Sequence, residues 1–164
     1  MALEIERRFL VRGDGWMAHS CWQRRFRQGY LVSSAAGFTV RVRLSCDSEA
    51  WITLKAPAAG IARHEFEYPI PADDAERLLA LAPHQLIKRR HGLDLAGGDW
   101  VLDVFEAENE PLVLAEVELA EADQPLVVPP WCGPELTGLG AWSNAALALR
   151  PYSSWTEAER QVLS

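Results

Sequence analysis

Cysteine is scarce in this chain, and its pattern offers no pairing. Three occur, Cys21, Cys46 and Cys132, without any C-x-x-C spacing. Neither a disulfide framework nor a zinc knuckle is predicted. Long apolar runs are missing as well. None approaches the roughly 18 residues of a membrane span, and no basic-then-apolar leader opens the sequence. A cytoplasmic protein with no membrane partner is predicted. Positive charge is in the minority: 16 Lys and Arg against 23 Asp and Glu give a net charge of −7. This balance argues against a nucleic-acid partner bound through a broad basic surface, but leaves room for a small enclosed basic site. The four histidines, His19, His64, His84 and His91, show no metal-ligand spacing.

What is present is globular. Apolar residues make up 49% and charged residues 24% of the 164 positions, enough for one substantial core. Seven Trp read first as packing residues. Period-two alternation, the mark of a half-buried strand, recurs along the chain. It marks Leu3–Val11, Phe26–Val32, Gly37–Leu44, Ala50–Lys55, Arg63–Ile70, Gln85–Leu93, Trp100–Glu106 and Leu112–Leu119. Helical signals are fewer. Asp73 or Asp74 is placed to cap AERLLALA, Asn144 to begin AALALR, and Ser154 or Thr156 to begin a short acidic helix. Strands in this excess predict a mainly β (α+β) fold, an eight-stranded antiparallel closed barrel with a few peripheral helices, because closure removes exposed edges. The barrel domain is assigned to residues 1–150, and residues 151–164 form a helical extension of it.

The charges fall in i, i+2 pairs of one sign: Glu4 and Glu6, Arg41 and Arg43, Glu65 and Glu67, Lys88 and Arg90, Glu116 and Glu118. Lys55 and Asp103 lie within further strands. Each pair points to one side of its strand, with apolar neighbours on the other. A solvated face explains any single strand. Five like-signed pairs are harder to explain that way, since a solvated surface interleaves both signs. A barrel with the charges inside, basic pairs across from acidic ones, accounts for the set. Its apolar side chains would point outward under helices and Trp. A charged lumen is costly unless its charges are paired or bound. A polyanion with divalent metal would satisfy both sets, Arg and Lys holding phosphate oxygens and carboxylates holding Mg²⁺ or Mn²⁺.

The segment EIERRFLV at 4–11, with QGYL at 28–31, VRVR at 40–43, TLK at 53–55, EFEYPIP at 65–71, IKRR at 87–90, LDVFE at 102–106 and AEVEL at 115–119, resembles in order the CYTH superfamily, the triphosphate tunnel metalloenzymes. PPW at 129–131 and WSNAALA at 142–148 resemble that family's C-terminal segment. The resemblance implies a tunnel, a small anionic triphosphate substrate and a divalent metal. It implies that Arg8, Arg41, Arg43, Lys55, Lys88 and Arg90 bind phosphate. It implies that Glu4, Glu6, Asp103, Glu116 and Glu118 bind metal, and that Glu65 and Glu67 line the tunnel as ligands or ion-pair partners. Lys55, with a pKa lowered by neighbouring Arg, is a candidate proton-transfer residue, with Tyr30 as its helper or as a structural residue.

Two positions depart from the family pattern. Arg8 stands where the motif has Lys, which keeps the charge and changes the donor geometry. Ala2 stands where the cyclase-type motif has His. Hydrolysis of inorganic tripolyphosphate is therefore favoured. An open-ended tunnel would enclose that substrate, whereas a nucleotide must leave its base at the mouth. Adenylate cyclase, nucleoside or thiamine triphosphatase, and a polyphosphate- or nucleotide-binding module without turnover are the alternatives. A homodimer is compatible with the sequence, which does not fix the oligomeric state.

Overall fold

The computed structural model describes residues 3–161. Within them the chain forms β1 (Leu3–Val11), β2 (Ser20–Ser33), β3 (Thr39–Ser45), β4 (Ala50–Pro57), β5 (Ala62–Ile70), α1 (Ala72–Leu81), β6 (His84–Leu93), β7 (Asp99–Phe105), β8 (Val113–Glu118), β9 (Cys132–Glu135), α2 (Asn144–Leu149) and α3 (Glu157–Arg160). The strands hydrogen-bond in the order β5-β4-β3-β2-β6-β7-β8-β1, and β1 pairs back onto β5. The result is a closed, eight-stranded antiparallel barrel. Closure is short, through Leu3↔His64, Glu4↔Arg63 and Ile5↔Ala62. Farther along β1, the extra strand β9 takes over that edge at Phe9 and Val11. No helix among the described residues is long and apolar enough to cross a membrane.

All eight alternating segments are strands, and the strand set differs from the expected one in two places. β2 starts at Ser20 rather than Phe26. Residues 20–25 carry too little apolar alternation to show this, yet they pair with β6 from Ser20↔Leu93 onward. β9, with the sequence CGPE, is the second. Four residues that include Gly and Pro read as a turn, and a proline is tolerated here because the strand lies at an edge.

The helix ends also differ in detail. In α1 the N-cap residue is Pro71, and Asp73 and Asp74 lie in the first turn without a capping bond, where they complement the positive end of the helix dipole. For α2 the cap is Ser143, whose hydroxyl accepts from the Ala146 amide at 3.1 Å. Thr156, not Ser154, caps α3 through a reciprocal capping box with Glu159. Ala2 and residues 162–164 of the extension lie outside the described residues.

Apolar residues collect in three clusters. Val42, Leu44 and Ala50 pack outside the barrel under Ala75 and Leu79 of α1. Gly29 permits this approach, since a Cβ there would meet the Ala82 Cβ at 2.8 Å. Phe9, Trp100, Leu102, Ala115 and Val117 form a second outer cluster, covered by Trp16 and Trp131. The third is inside. Leu10, Leu86, Phe105 and Leu114 lie two residues from Arg8, Lys88, Asp103 and Glu116 on the same strand faces, so the inward rows turn apolar toward one end of the barrel. Trp142, Leu147 and Trp155 from the C-terminal segment fill that end. The barrel expected as an open-ended tunnel is therefore closed at this end by an apolar plug.

Candidate active site

Going round the barrel, β1 and β2 are four strands apart in either direction and face each other. The arc β8-β1-β5 carries Glu116, Glu118, Glu4, Glu6, Glu65 and Glu67. The opposite arc β3-β2-β6 carries Arg41, Arg43, Lys88 and Arg90. Basic and acidic pairs thus stand on opposing walls. All of these side chains, with Arg8, Tyr30 and Lys55, line one cavity of about 250 Å³. That is smaller than the roughly 300–1,000 Å³ of sites for drug-sized ligands.

Asp103 is the exception among the residues singled out. It does not line the cavity, and it is 1% exposed. Its Oδ1 accepts from Arg90 Nε at 2.8 Å, and its Oδ2 accepts from Arg90 Nη2 at 2.9 Å and Lys88 Nζ at 2.8 Å. Both oxygens are committed to these cations, so Asp103 anchors Lys88 and Arg90 from an inward row.

The two lysines also differ from expectation. Lys55 Nζ donates to Glu4 Oε1 at 2.7 Å and lies 3.3 Å from Glu65 Oε2. Burial alone would lower its pKa, but Glu4 and Glu6 outweigh burial and raise it. Its pKa is thus raised rather than lowered in this environment. Lys88 has the lowered pKa. Burial is the largest cause, Arg90 adds to it, and Asp103 only partly offsets them. Tyr30 makes no hydrogen bond to Lys55. Its hydroxyl accepts from Gln28 Nε2 at 3.1 Å, and the residue belongs to the inner apolar cluster.

The basic wall holds donors to spare. Arg43 Nε donates to Gln28 Oε1 at 3.1 Å, and no carboxylate among the described residues lies within ion-pair distance of Arg43. Burial, then Arg41 and Arg90, pull its pKa down to about 9. Arg41 Nη2 donates to Thr53 Oγ1 at 3.1 Å and Glu67 Oε2 at 3.4 Å. The buried Nε of Arg41 has no acceptor. A buried donor left unmatched costs free energy, so this wall is built for oxygens that the chain does not supply.

The acidic wall is the converse. Burial, followed by Glu116 and Glu4, pushes Glu6 up to about 8. Glu4 is raised, chiefly by burial. Glu118 is raised by burial, Glu4 and Asp99. Glu116 alone goes the other way. Burial would raise it, but Arg8, Arg90 and Lys88 hold it well below the usual carboxylate range. Arg8 links the two carboxylates, with Nη2 at 2.9 Å from Glu6 Oε1 and Nε at 3.5 Å from Glu116 Oε1. Among the described residues, no three acidic, His or Cys side chains converge into a ready metal shell. The donors on this wall are carboxylate oxygens, which would suit a hard divalent cation.

Several lining residues escaped the sequence reading: Thr39, Thr53, Arg63 and Asp99, and from α2 and its cap Ser143, Asn144 and Ala145. Thr39, Thr53 and Arg63 are each two positions from a residue already singled out, so extending those rows would have found them. Asn144 carries no such signal, because it comes from outside the barrel strands.

A family model described as the CYTH domain matches residues 2–135. A protein of Acetivibrio thermocellus named inorganic triphosphatase is 35% identical over 159 residues, covering 96% of this chain and 100% of that protein. A protein of Nitrosomonas europaea with the same name is 37% identical over 152 residues, covering 89% of this chain and 97% of that one. A crystal structure described as an inorganic triphosphatase superimposes with a TM-score of 0.64 at 34% identity, covering 91% of this chain and 96% of the other.

Proposed function

The chain belongs to the CYTH domain family, and on that premise we propose that it is a triphosphatase, cleaving inorganic tripolyphosphate to pyrophosphate and orthophosphate. The observation that carries this reading is the arc of buried cations in which the Arg41 Nε has no acceptor and Arg43 has no carboxylate partner among the described residues, facing an arc of crowded carboxylates. The names of the Acetivibrio and Nitrosomonas relatives support it.

Arg8, Arg41, Arg43, Lys88 and Arg90 bind the phosphate oxygens and stabilise charge that develops on them. Asp103 fixes the plane of the Arg90 guanidinium through its paired bonds. Lys55 stays protonated beside Glu4 and acts as a donor to an outer phosphate oxygen. Carboxylates among Glu4, Glu6, Glu116 and Glu118 would hold a Mg²⁺ or Mn²⁺ ion, which would supply charge neutralisation and an acidified water. Glu65 and Glu67 act as ion-pair partners of Lys55 and Arg41. A nucleotide finds little to read here. Trp51 and Phe26, two aromatics aligned with the inward rows, are already taken up by the guanidinium groups of Arg24 and Arg43 at 5.8 and 4.9 Å. The free cysteines fit a reducing, cytoplasmic setting.

The test is orthophosphate and pyrophosphate release from tripolyphosphate and from ATP, with Mg²⁺, Mn²⁺ or chelator, beside Glu4→Gln. Metal-dependent orthophosphate release from tripolyphosphate, at least about 100-fold lower in Glu4→Gln, is the expected outcome. Cyclic AMP and pyrophosphate from ATP would replace this reading with a cyclase. Tight binding of tripolyphosphate without turnover would reduce it to a binding module.

A further inference from the structure

The matched family region ends at residue 135, yet a residue beyond it lines the cavity. Asn144 is the first residue of α2, held there by the Ser143 cap. It is 9% exposed. Its Oδ1 accepts two hydrogen bonds, from Lys88 Nζ at 2.8 Å and from Gln28 Nε2 at 3.1 Å. The fully buried Gln28 then turns its own oxygen to Arg43 Nε at 3.1 Å. One neutral amide oxygen thereby sets the direction of two cations of the basic wall.

The count of donors gives this contact its meaning. An ammonium has three N–H groups. On Lys88, Asp103 takes one and Asn144 takes a second. One N–H is left, and Lys88 borders the cavity. A neutral acceptor does this without cancelling positive charge, whereas a second carboxylate would cancel it.

We propose that Asn144 is a positioning residue that holds Lys88 so that its remaining N–H meets the innermost phosphate of the substrate. The C-terminal segment is then a working part of the site as well as its plug. The proposal rests on the triphosphatase reading. Asn144 is not a catalytic residue, since it acts through Lys88.

A double-mutant cycle tests it. Tripolyphosphate hydrolysis with Mg²⁺ is measured for the native protein, Asn144→Ala, Lys88→Met and the double variant, with thermal melting of each to confirm folding. Asn144→Ala is expected to lower kcat/KM by about 10-fold or more, the scale of a hydrogen bond to a charged group. In the Lys88→Met background the same substitution is expected to cost markedly less, because the Lys88 contact is already gone and only the Gln28 contact remains to be lost. An equal loss in both backgrounds would assign Asn144 a structural role and overturn the proposal. No loss in either would overturn it too. Should Asn144→Ala not fold, Asn144→Leu, which keeps the volume and removes the acceptor, takes its place in the cycle with the same criteria. Absence of turnover in the native protein would sink the triphosphatase reading itself, which is a different result from additivity among active variants.

Discussion

The two arcs of the barrel are made of the same secondary structure with the same period, yet they treat their charges in opposite ways. On β8-β1-β5, acids crowd acids. Glu6 is pushed up to about 8, and Lys55, set among Glu4, Glu6 and Glu65, is raised. On β3-β2-β6, bases crowd bases. Arg43 falls to about 9, and Lys88 falls well below its ordinary value. Burial acts on both arcs. What differs is the sign of the neighbours, and that sign decides whether a buried lysine gains or loses its proton affinity. Each arc is uncomfortable alone and complementary to a different part of a metal–polyanion complex.

The largest break in this contrast comes from Asp103→Asn. It removes the carboxylate that pairs with both Lys88 and Arg90, leaving Lys88 without a carboxylate partner and Arg90 with only Glu116 at 3.8 Å. Stability is expected to fall by about 3 to 5 kcal/mol, read from urea denaturation, with tripolyphosphate turnover lost alongside. An unchanged denaturation curve would show that the basic arc tolerates its own repulsion.

Glu6→Gln sharpens the contrast from the acidic side. The folded pKa of Glu6, about 8, lies above its ordinary value of 4.5. The folded state therefore binds the extra proton between those values, and stability is lost as pH rises through that window. Glutamine mimics the protonated form and escapes the loss. In chelator, the variant is expected to melt about 4 °C or more above the native protein at pH ~9 and close to it at pH ~4.5. A gap independent of pH would contradict the raised pKa.

The smallest effect is expected outside both arcs. Arg7 shares β1 with Arg8 but pairs with Glu135 at 2.7 Å on the outer side of the barrel. Arg7→Ala should change stability by less than about 1 kcal/mol and leave turnover unchanged in the same assays. A large loss of turnover would mean that the inside–outside alternation of β1 is wrong.

Much of this was legible in the residues. The eight strands and the inward rows follow from period two, because the pleat sends alternate side chains to opposite faces. The opposition of acidic and basic walls needed the strand order, which the charge pairs suggested but could not supply. β9 stayed hidden because its four residues, CGPE, have no apolar period. They are held by their place beside β1, not by propensity. The opposite pKa directions of Lys55 and Lys88 were hidden for a similar reason. Both sit on inward rows. The difference comes from the charges packed around them, Glu4, Glu6 and Glu65 at Lys55 and Arg90 and Arg43 at Lys88, most of them brought by other strands. Asn144 contributes from the start of a helix far along the chain, so no local pattern could tie it to Lys88.

The plug at one end has a consequence for how this barrel tolerates change. Leu10, Leu86, Phe105, Leu114, Trp142, Leu147 and Trp155 bury a core at one end of the barrel, below the charged rows. Packing and chemistry thus occupy separate storeys of one tube. Side chains of the upper storey that bear no buried ion pair can be exchanged while the lower storey keeps the chain folded. A scaffold divided in this way offers room for substrate preference to drift without a matching loss of the fold.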